Sequence, residues 1–216
     1  MRMTRGQTKE RNRRALLEAA REVLARDGHR ARLEEIADRA GLTTGAVYSL
    51  FGSKDGLVTA LVAEHLRGDY EEAEREIGAD LDLVGAVGAF ARLYLHGCRG
   101  SRARSDLALQ AALMDMALRD EALRSRLAES ISAQEERLAA LFAGRDHGGA
   151  PVGAGRARRL ATALRALLVG LGQGVVLGLT RADERFFADA ARALVCDAVL
   201  EGPGPGVSAG VRGPGG

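Results

Sequence analysis

Three glycines, Gly28, Gly41 and Gly52, punctuate the first quarter of the chain, and between them the apolar residues recur at helical spacing. Leu16, Ala19, Ala20, Val23 and Leu24 stand at i, i+3, i+4, i+7 and i+8, the stripe that one face of an α-helix turns towards a core. Asp27-Gly28 closes that helix, glycine being suited to the left-handed position past a helix C-terminus. Leu33, Ile36, Ala37 and Ala40 mark a second helix, which Gly41 stops after barely two turns. Thr43 to Leu50 forms a third, broken by Gly52-Ser53. Ser53 caps a fourth helix that runs to about Ile77, with Asp55 in its first turn complementing the macrodipole. Longer helices follow at roughly 82–98, 103–118, 120–143, 156–180 and 183–201, with a glycine-rich loop over 144–155. No strand pattern and no internal repeat is expected, so the fold class is all-α with about nine helices.

Composition bounds the function. Hydrophobic residues make up 46% of the 216 and charged residues 28%, enough to bury a core and to exclude wholesale disorder. A net charge of +2 excludes a polycation. The longest apolar stretch, Ala166 to Thr180, carries Gln173 and four glycines, so no membrane span is expected. The first residues hold charges with no apolar run behind them, which is not the pattern of a signal peptide. Cys98 and Cys196 lie in apolar helical patterns without metal-ligand spacing, as in a reduced, cytoplasmic protein. Residues 202–216 hold seven glycines and three prolines and are expected to be a disordered tail. Charge is uneven: residues 1–57 carry twelve Lys or Arg against eight Asp or Glu, a surplus of four, which leaves −2 for the remainder. A basic N-terminal part on a near-neutral body points to a local anionic partner.

The informative constellation is LEEIADRAGLTTGAVYSLFG, residues 33–52. Ala37 is small where two helices would cross, Gly41 takes up a positive φ cheaply, and Val47 fills the gap beneath the second helix. That spacing suits a helix-turn-helix whose second helix enters the major groove. The same three residue types also suit a plain helical hairpin.

The run IADRAGLTTGAVYSLFGSKDGL resembles the signature of the TetR family of transcriptional regulators, through Ile36-Ala37, Ala40-Gly41-Leu42, Thr43, Gly45, Val47-Tyr48, Phe51 and Ser53-Lys54. The resemblance covers roughly residues 10–66. It implies a DNA-binding domain over 8–66 with its motif at about 32–51, and a ligand-binding and dimerisation domain over 67–201. It implies that Thr43 caps the recognition helix and donates to a phosphate, that Gly45 lets backbone approach the duplex, and that Tyr48 and Lys54 contact phosphates. A half-buried tyrosine and a solvated lysine are the plainer readings of the last two. The chain departs from the family at Ala31 and Arg32, where a Thr or Ser usually opens the second helix; Arg32 could reach a phosphate instead. Leu50 replaces a polar or aromatic residue. The recognition face then offers Thr43, Thr44, Ala46 and Ser49 and no arginine, so no bidentate reader of guanine stands there. Thymine methyl contacts, duplex shape and a basic arm (Arg5, Lys9, Arg11, Arg13, Arg14) are expected to carry specificity.

In the body, Gly170, Gly174 and Gly178 recur every four residues, a small-residue face on which another helix could pack. The resemblance places a four-helix dimer interface here, with Phe187 and Leu194 on the following helix. Lining a ligand cavity or kinking the helix is the other reading of these glycines. Phe90, Tyr94, Gln110, Leu113, Met114 and Gln173 are the candidate ligand-pocket residues, with ordinary core packing as the alternative. The implied partners are double-stranded DNA with a near-palindromic operator, a second copy of the chain, and an apolar or weakly polar small effector; no membrane, cofactor or metal is expected. No catalytic motif occurs, and His29, His65, His96 and His147 are dispersed, so no enzyme is expected. The expected function is a homodimeric repressor released from its operator by a ligand; the alternative is a ligand-independent DNA- or protein-interaction module.

Overall fold

The computed structural model describes residues 4–65, 73 and 75–201. Helices α1 (Arg5–Asp27), α2 (Leu33–Arg39), α3 (Thr44–Phe51) and α4 (Lys54–His65) form the N-terminal domain, with a 3₁₀ turn at Gly28–Arg30. The body comprises α5 (Leu83–Cys98), α6 (Ala103–Arg119), α7 (Glu121–Phe142), α8 (Ala154–Val176), α9 (Glu184–Arg192) and the short α10 (Asp197–Leu200). The expected course of the fourth helix just past His65, the domain boundary at 66 and the tail over 202–216 lie outside the described residues.

Local chemistry sets the helix ends. Thr4 and Gln7 form a reciprocal capping box at α1, a signal present as T-x-x-Q that starts the helix eleven residues before its apolar stripe. The basic arm is therefore helical from Arg5 onward. Asp82, Asp120 and Asp183 cap α5, α7 and α9 through backbone N–H groups. Where a plain loop is expected, the glycine-rich segment holds a short antiparallel hairpin with two residues in each strand: Asp146 pairs with Pro151 and His147 with Ala150. Gly148 and Gly149, at φ +63° and +83°, supply the two left-handed positions of a type I′ turn. Arg145 clamps this loop by donating to the carbonyls of Leu141, Gly78 and Leu81 at 2.7–2.9 Å.

The single helix expected over 183–201 is two. Cys196 is extended (φ −140°, ψ 160°), which turns the chain so that Leu200 is buried in the body core and Arg159 Nε donates to its carbonyl at 3.0 Å. Helix α8 is long and apolar enough to cross a membrane by length and composition, and one face of it, with Leu160, Leu164 and Leu168, is buried inside the body.

Two cores result. The body core gathers α5, the end of α7, α8, α9 and α10 around Phe90 and Phe142, whose rings meet edge to face at 6.3 Å. The N-terminal core contains the stripe of α1 as expected, together with Ile36, Ala37, Val47 and the apolar face of α4. It is completed by Leu109, Leu113 and Ala117 of α6 and Leu123 of α7. Arg21 Nη1 donates to Asp106 at 2.5 Å across the same seam.

Candidate nucleic-acid interface

The turn between α2 and α3 places the site. Gly41 has φ +66° and nothing within 4 Å of where a Cβ would stand, so backbone conformation, not crowding, selects glycine. Leu42 N–H donates to the Ala37 carbonyl at 2.9 Å and Gly41 N–H to that of Asp38 at 3.0 Å, fixing the exit of α2. Ala37 and Val47 are both buried where α2 and α3 cross.

Val47 is the one fully buried residue of α3, and Leu50 and Phe51 pack against the same core, which leaves the opposite face of this eight-residue helix outward. Tyr48 is 57% exposed, and Thr43, Gly45 and Ser49 are exposed; Thr44 and Ala46 are half-buried. Leu50 turns inward and packs against the N-terminal core, which accounts for an apolar side chain there. Thr43 Oγ1 accepts from Ala46 N–H at 3.3 Å, capping α3, and the hydroxyl retains its own proton for donation. A Cβ on Gly45 would meet only Thr43 Oγ1, at an ordinary 3.6 Å. The protein itself does not require glycine at 45; bare backbone on the outer face is what close approach to a duplex uses.

Arg32 occupies the N-cap of α2 without a side-chain cap bond, and its side chain is exposed. Lys54 Nζ donates to the carbonyls of Ala31 and His29, the latter at 3.5 Å, and so ties the start of α4 to the chain entering α2. Ser53 Oγ caps α4 by accepting from Gly56 N–H at 2.9 Å. Gly56 was not singled out by the sequence reading, yet a Cβ there would stand 2.0 Å from the Phe51 carbonyl oxygen. Its signal was a glycine inside a helical pattern, which marks close backbone approach. The Arg13 guanidinium lies 5.2 Å from the centre of the Phe51 ring and joins α1 to the end of α3.

Part of the basic surplus is paired within the N-terminal domain. Arg26 pairs with Asp27 and Glu35, and Arg39 with Glu22. The Arg26 hydrogen bond holds the Asp27 carboxyl below its ordinary range. Among the described residues, Arg5, Lys9, Arg30 and Arg32 enter no ion pair, which leaves their charge for an anionic partner.

The six candidate pocket residues lie in different surroundings. Leu113 is in the N-terminal core, so its placement in a body pocket is corrected; Met114, on the same helix, is exposed. Phe90 is buried against Phe142, and Tyr94 packs beside Gly172. Gln110 and Gln173 are half-buried. The expected interface set is also corrected in part. Phe187 is fully buried within its own protomer and Leu194 packs on the body core. A Cβ on Gly174 would meet Thr180 Oγ1 at 2.5 Å, because the chain doubles back there. Gly178, at φ +72°, ends α8 instead of extending a small-residue face. Gly170 is exposed with open space around it. The close helix approach foreseen for these glycines occurs at Gly172 instead, where a Cβ would stand 2.8 Å from Cys98 Sγ and 2.9 Å from Tyr94 Cε1 of α5.

Two short helices that bury Ala37 and Val47 between them, with Tyr48 and Ser49 of the second one exposed, form a helix-turn-helix unit. Residues 16–61 match the model of the N-terminal domain of bacterial regulatory proteins of the tetR family. This stretch is therefore similar to the DNA-binding domain of tetR-family transcriptional regulators, and the fold is the all-α fold of such regulators. Solved structures share the whole fold. A TetR-family member from Streptomyces coelicolor A3 is 24% identical over 86% of this chain and 98% of its own, with a TM-score of 0.65. Salmonella enterica GusR is 21% identical over 92% and 98%, with a TM-score of 0.65. The multidrug binding protein EbrR, in complex with ethidium, is 24% identical over 86% and 99%, with a TM-score of 0.63. No curated protein matches the sequence.

Proposed function

We propose that the protein acts as a homodimeric repressor, released from a near-palindromic operator by an apolar or weakly polar small molecule, on DNA in the cytoplasm. The observation that carries this reading is the outward face of α3: Thr43, Gly45, Tyr48 and Ser49 exposed on a helix anchored by Val47. The hydroxyls of Thr43, Tyr48 and Ser49 suit phosphate and base-edge contacts, and the methyl groups of Thr44 and Ala46 suit thymine. Dimerisation is supported by exposed Leu177, Leu179 and Phe186 around the end of α8, with Gly170 open on the same helix. A two-fold pair would offer two α3 helices to half-sites about 34–36 Å apart. Ligand control is supported by the likeness to EbrR, a binder of ethidium.

The test is selection of bound fragments from genomic DNA, followed by affinity measurement on the enriched duplex. A paired motif one duplex turn apart is expected, with log affinity falling linearly in log salt at about 0.9 per phosphate neutralised. Replacing thymine by uracil in the site should weaken binding. Enrichment of no motif would overturn the regulator reading, and unchanged affinity with uracil would overturn the methyl contacts.

A further inference from the structure

We propose that the effector site lies at the joint between the DNA-binding domain and the body, and that it takes a small uncharged molecule of about one ring with a short polar tail. The proposal rests on the ligand-controlled reading above and gives it a place and a ligand class. A cavity of about 220 Å³ opens between the 3₁₀ turn, α4 and the corner where α6 passes into α7. Its inner wall is apolar: Val58 of α4 faces Met116 of α6 and Leu123 of α7. Val58 and Leu123 are buried members of the N-terminal core, so the cavity is a gap in the seam that joins the two parts.

The rim carries two acids and two arginines, Asp55, Asp120, Arg119 and Arg126, beside His29. Most are already engaged. Arg119 donates to Asp115 at 3.0 Å, Asp120 accepts from Leu123 N–H at 3.1 Å, and Arg126 donates to Thr59 Oγ1 at 2.7 Å. Equal numbers of the two arginine and aspartate charges leave no net attraction for an ion of either sign, while hydrogen-bonding groups remain for a neutral polar tail. The size agrees: an engineered apolar cavity of about 150 Å³ holds benzene, so this one suits a ring with a small substituent.

The walls belong to opposite sides of the joint. An occupant therefore changes the angle between α4 and the α6–α7 corner, and α4 packs directly on α3. The polar clasps Arg126–Thr59 and His29–Asp115, the latter at 3.6 Å, bridge the same gap and must adjust with it. A ligand that prefers one angle shifts the population of DNA-competent dimers by its differential affinity.

The experiment is calorimetric titration of the full chain with benzyl alcohol, benzoate and benzylammonium, which share a ring and differ in charge. Saturable binding of benzyl alcohol is expected, with the two ions at least tenfold weaker. Ala122→Trp on the exposed rim and Met116→Trp on the opposite wall should each weaken benzyl alcohol at least tenfold, with thermal melting checked for both. Absence of saturable binding to the wild type, equal binding by both filled and folded variants, or preference for either ion would overturn the proposal. DNA selection on the same preparations separates the two failures. Selected DNA without benzyl alcohol binding sinks only the cavity, whereas benzyl alcohol binding without a selected motif sinks the regulator.

Discussion

The two cores of this molecule are closed in different ways. The body core is sealed by its own helices: Phe90 meets Phe142, Phe187 is buried from α9, and Leu200 returns from the C-terminal turn. The N-terminal core is not self-sufficient, for Leu109, Leu113, Ala117 and Leu123 reach in from α6 and α7 to cover α1 and α4. A domain of roughly 60 residues buries only about 60% of the surface its unfolded chain exposes and is marginal alone, and here side chains from the body add to its core. The lesson concerns coupling. A hydrophobic seam, reinforced by Arg21–Asp106, ties the N-terminal domain to α6 and the start of α7, so a change in those two helices is passed to the domain that carries α3.

The strongest way to break this contrast is Leu113→Ala. Its side chain is 3% exposed, and its loss should cost about 2–5 kcal/mol. Amide hydrogen exchange should rise in α1–α4 and α6 while the interior of α8 stays protected; uniform loss would mean one core, not two. The converse is Gly172→Ala, where the new methyl collides with Cys98 and Tyr94. Overpacking of this kind costs about 1–3 kcal/mol, and exchange should rise in α5 and α8 with α3 unaffected. Thr43→Ala should lower stability by about 1 kcal/mol through the lost cap and weaken DNA binding further through the lost hydroxyl. Thr43→Ser should restore both in urea unfolding and in affinity. The smallest effect is at the joint. The Arg119 hydrogen bond, then the charges of Arg119 and His29, hold Asp115 below the ordinary carboxylate range despite opposing desolvation. A depressed folded pKa contributes stability above the unfolded value of about 3.9, lost as pH falls through the folded value. Melting temperature followed below pH 4 should therefore fall slightly less steeply for Asp115→Asn than for the wild type.

The legible and illegible parts divide along the same seam. Gly28 and Gly41, at positive φ, the Thr43 and Ser53 caps and buried Val47 were all readable, because each is a local requirement of backbone or cap. Gly41 and Val47 also lie in a long family motif. What escaped depended on partners distant in sequence. Leu113 reads as a body residue until α6 is seen to lie against α1, and Phe187 reads as a free apolar stripe until α5 is seen to cover it. Gly178 sits in register with Gly170 and Gly174, and only its φ of +72° shows that the helix has already ended. The break at Cys196 likewise depends on Arg159 holding the carbonyl of Leu200.

The central claim is that α3 reads duplex DNA from its exposed face. The direct measurement is the affinity of the wild type and of Thr44→Ala/Ser49→Ala for the selected duplex and for a scrambled one, at matched salt. The wild type should prefer the selected duplex by at least about 10³-fold. The variant should lose most of that preference while its affinity for the scrambled duplex and its salt slope are retained. Equal binding of both duplexes by the wild type, or an undiminished preference in the variant, would contradict the account.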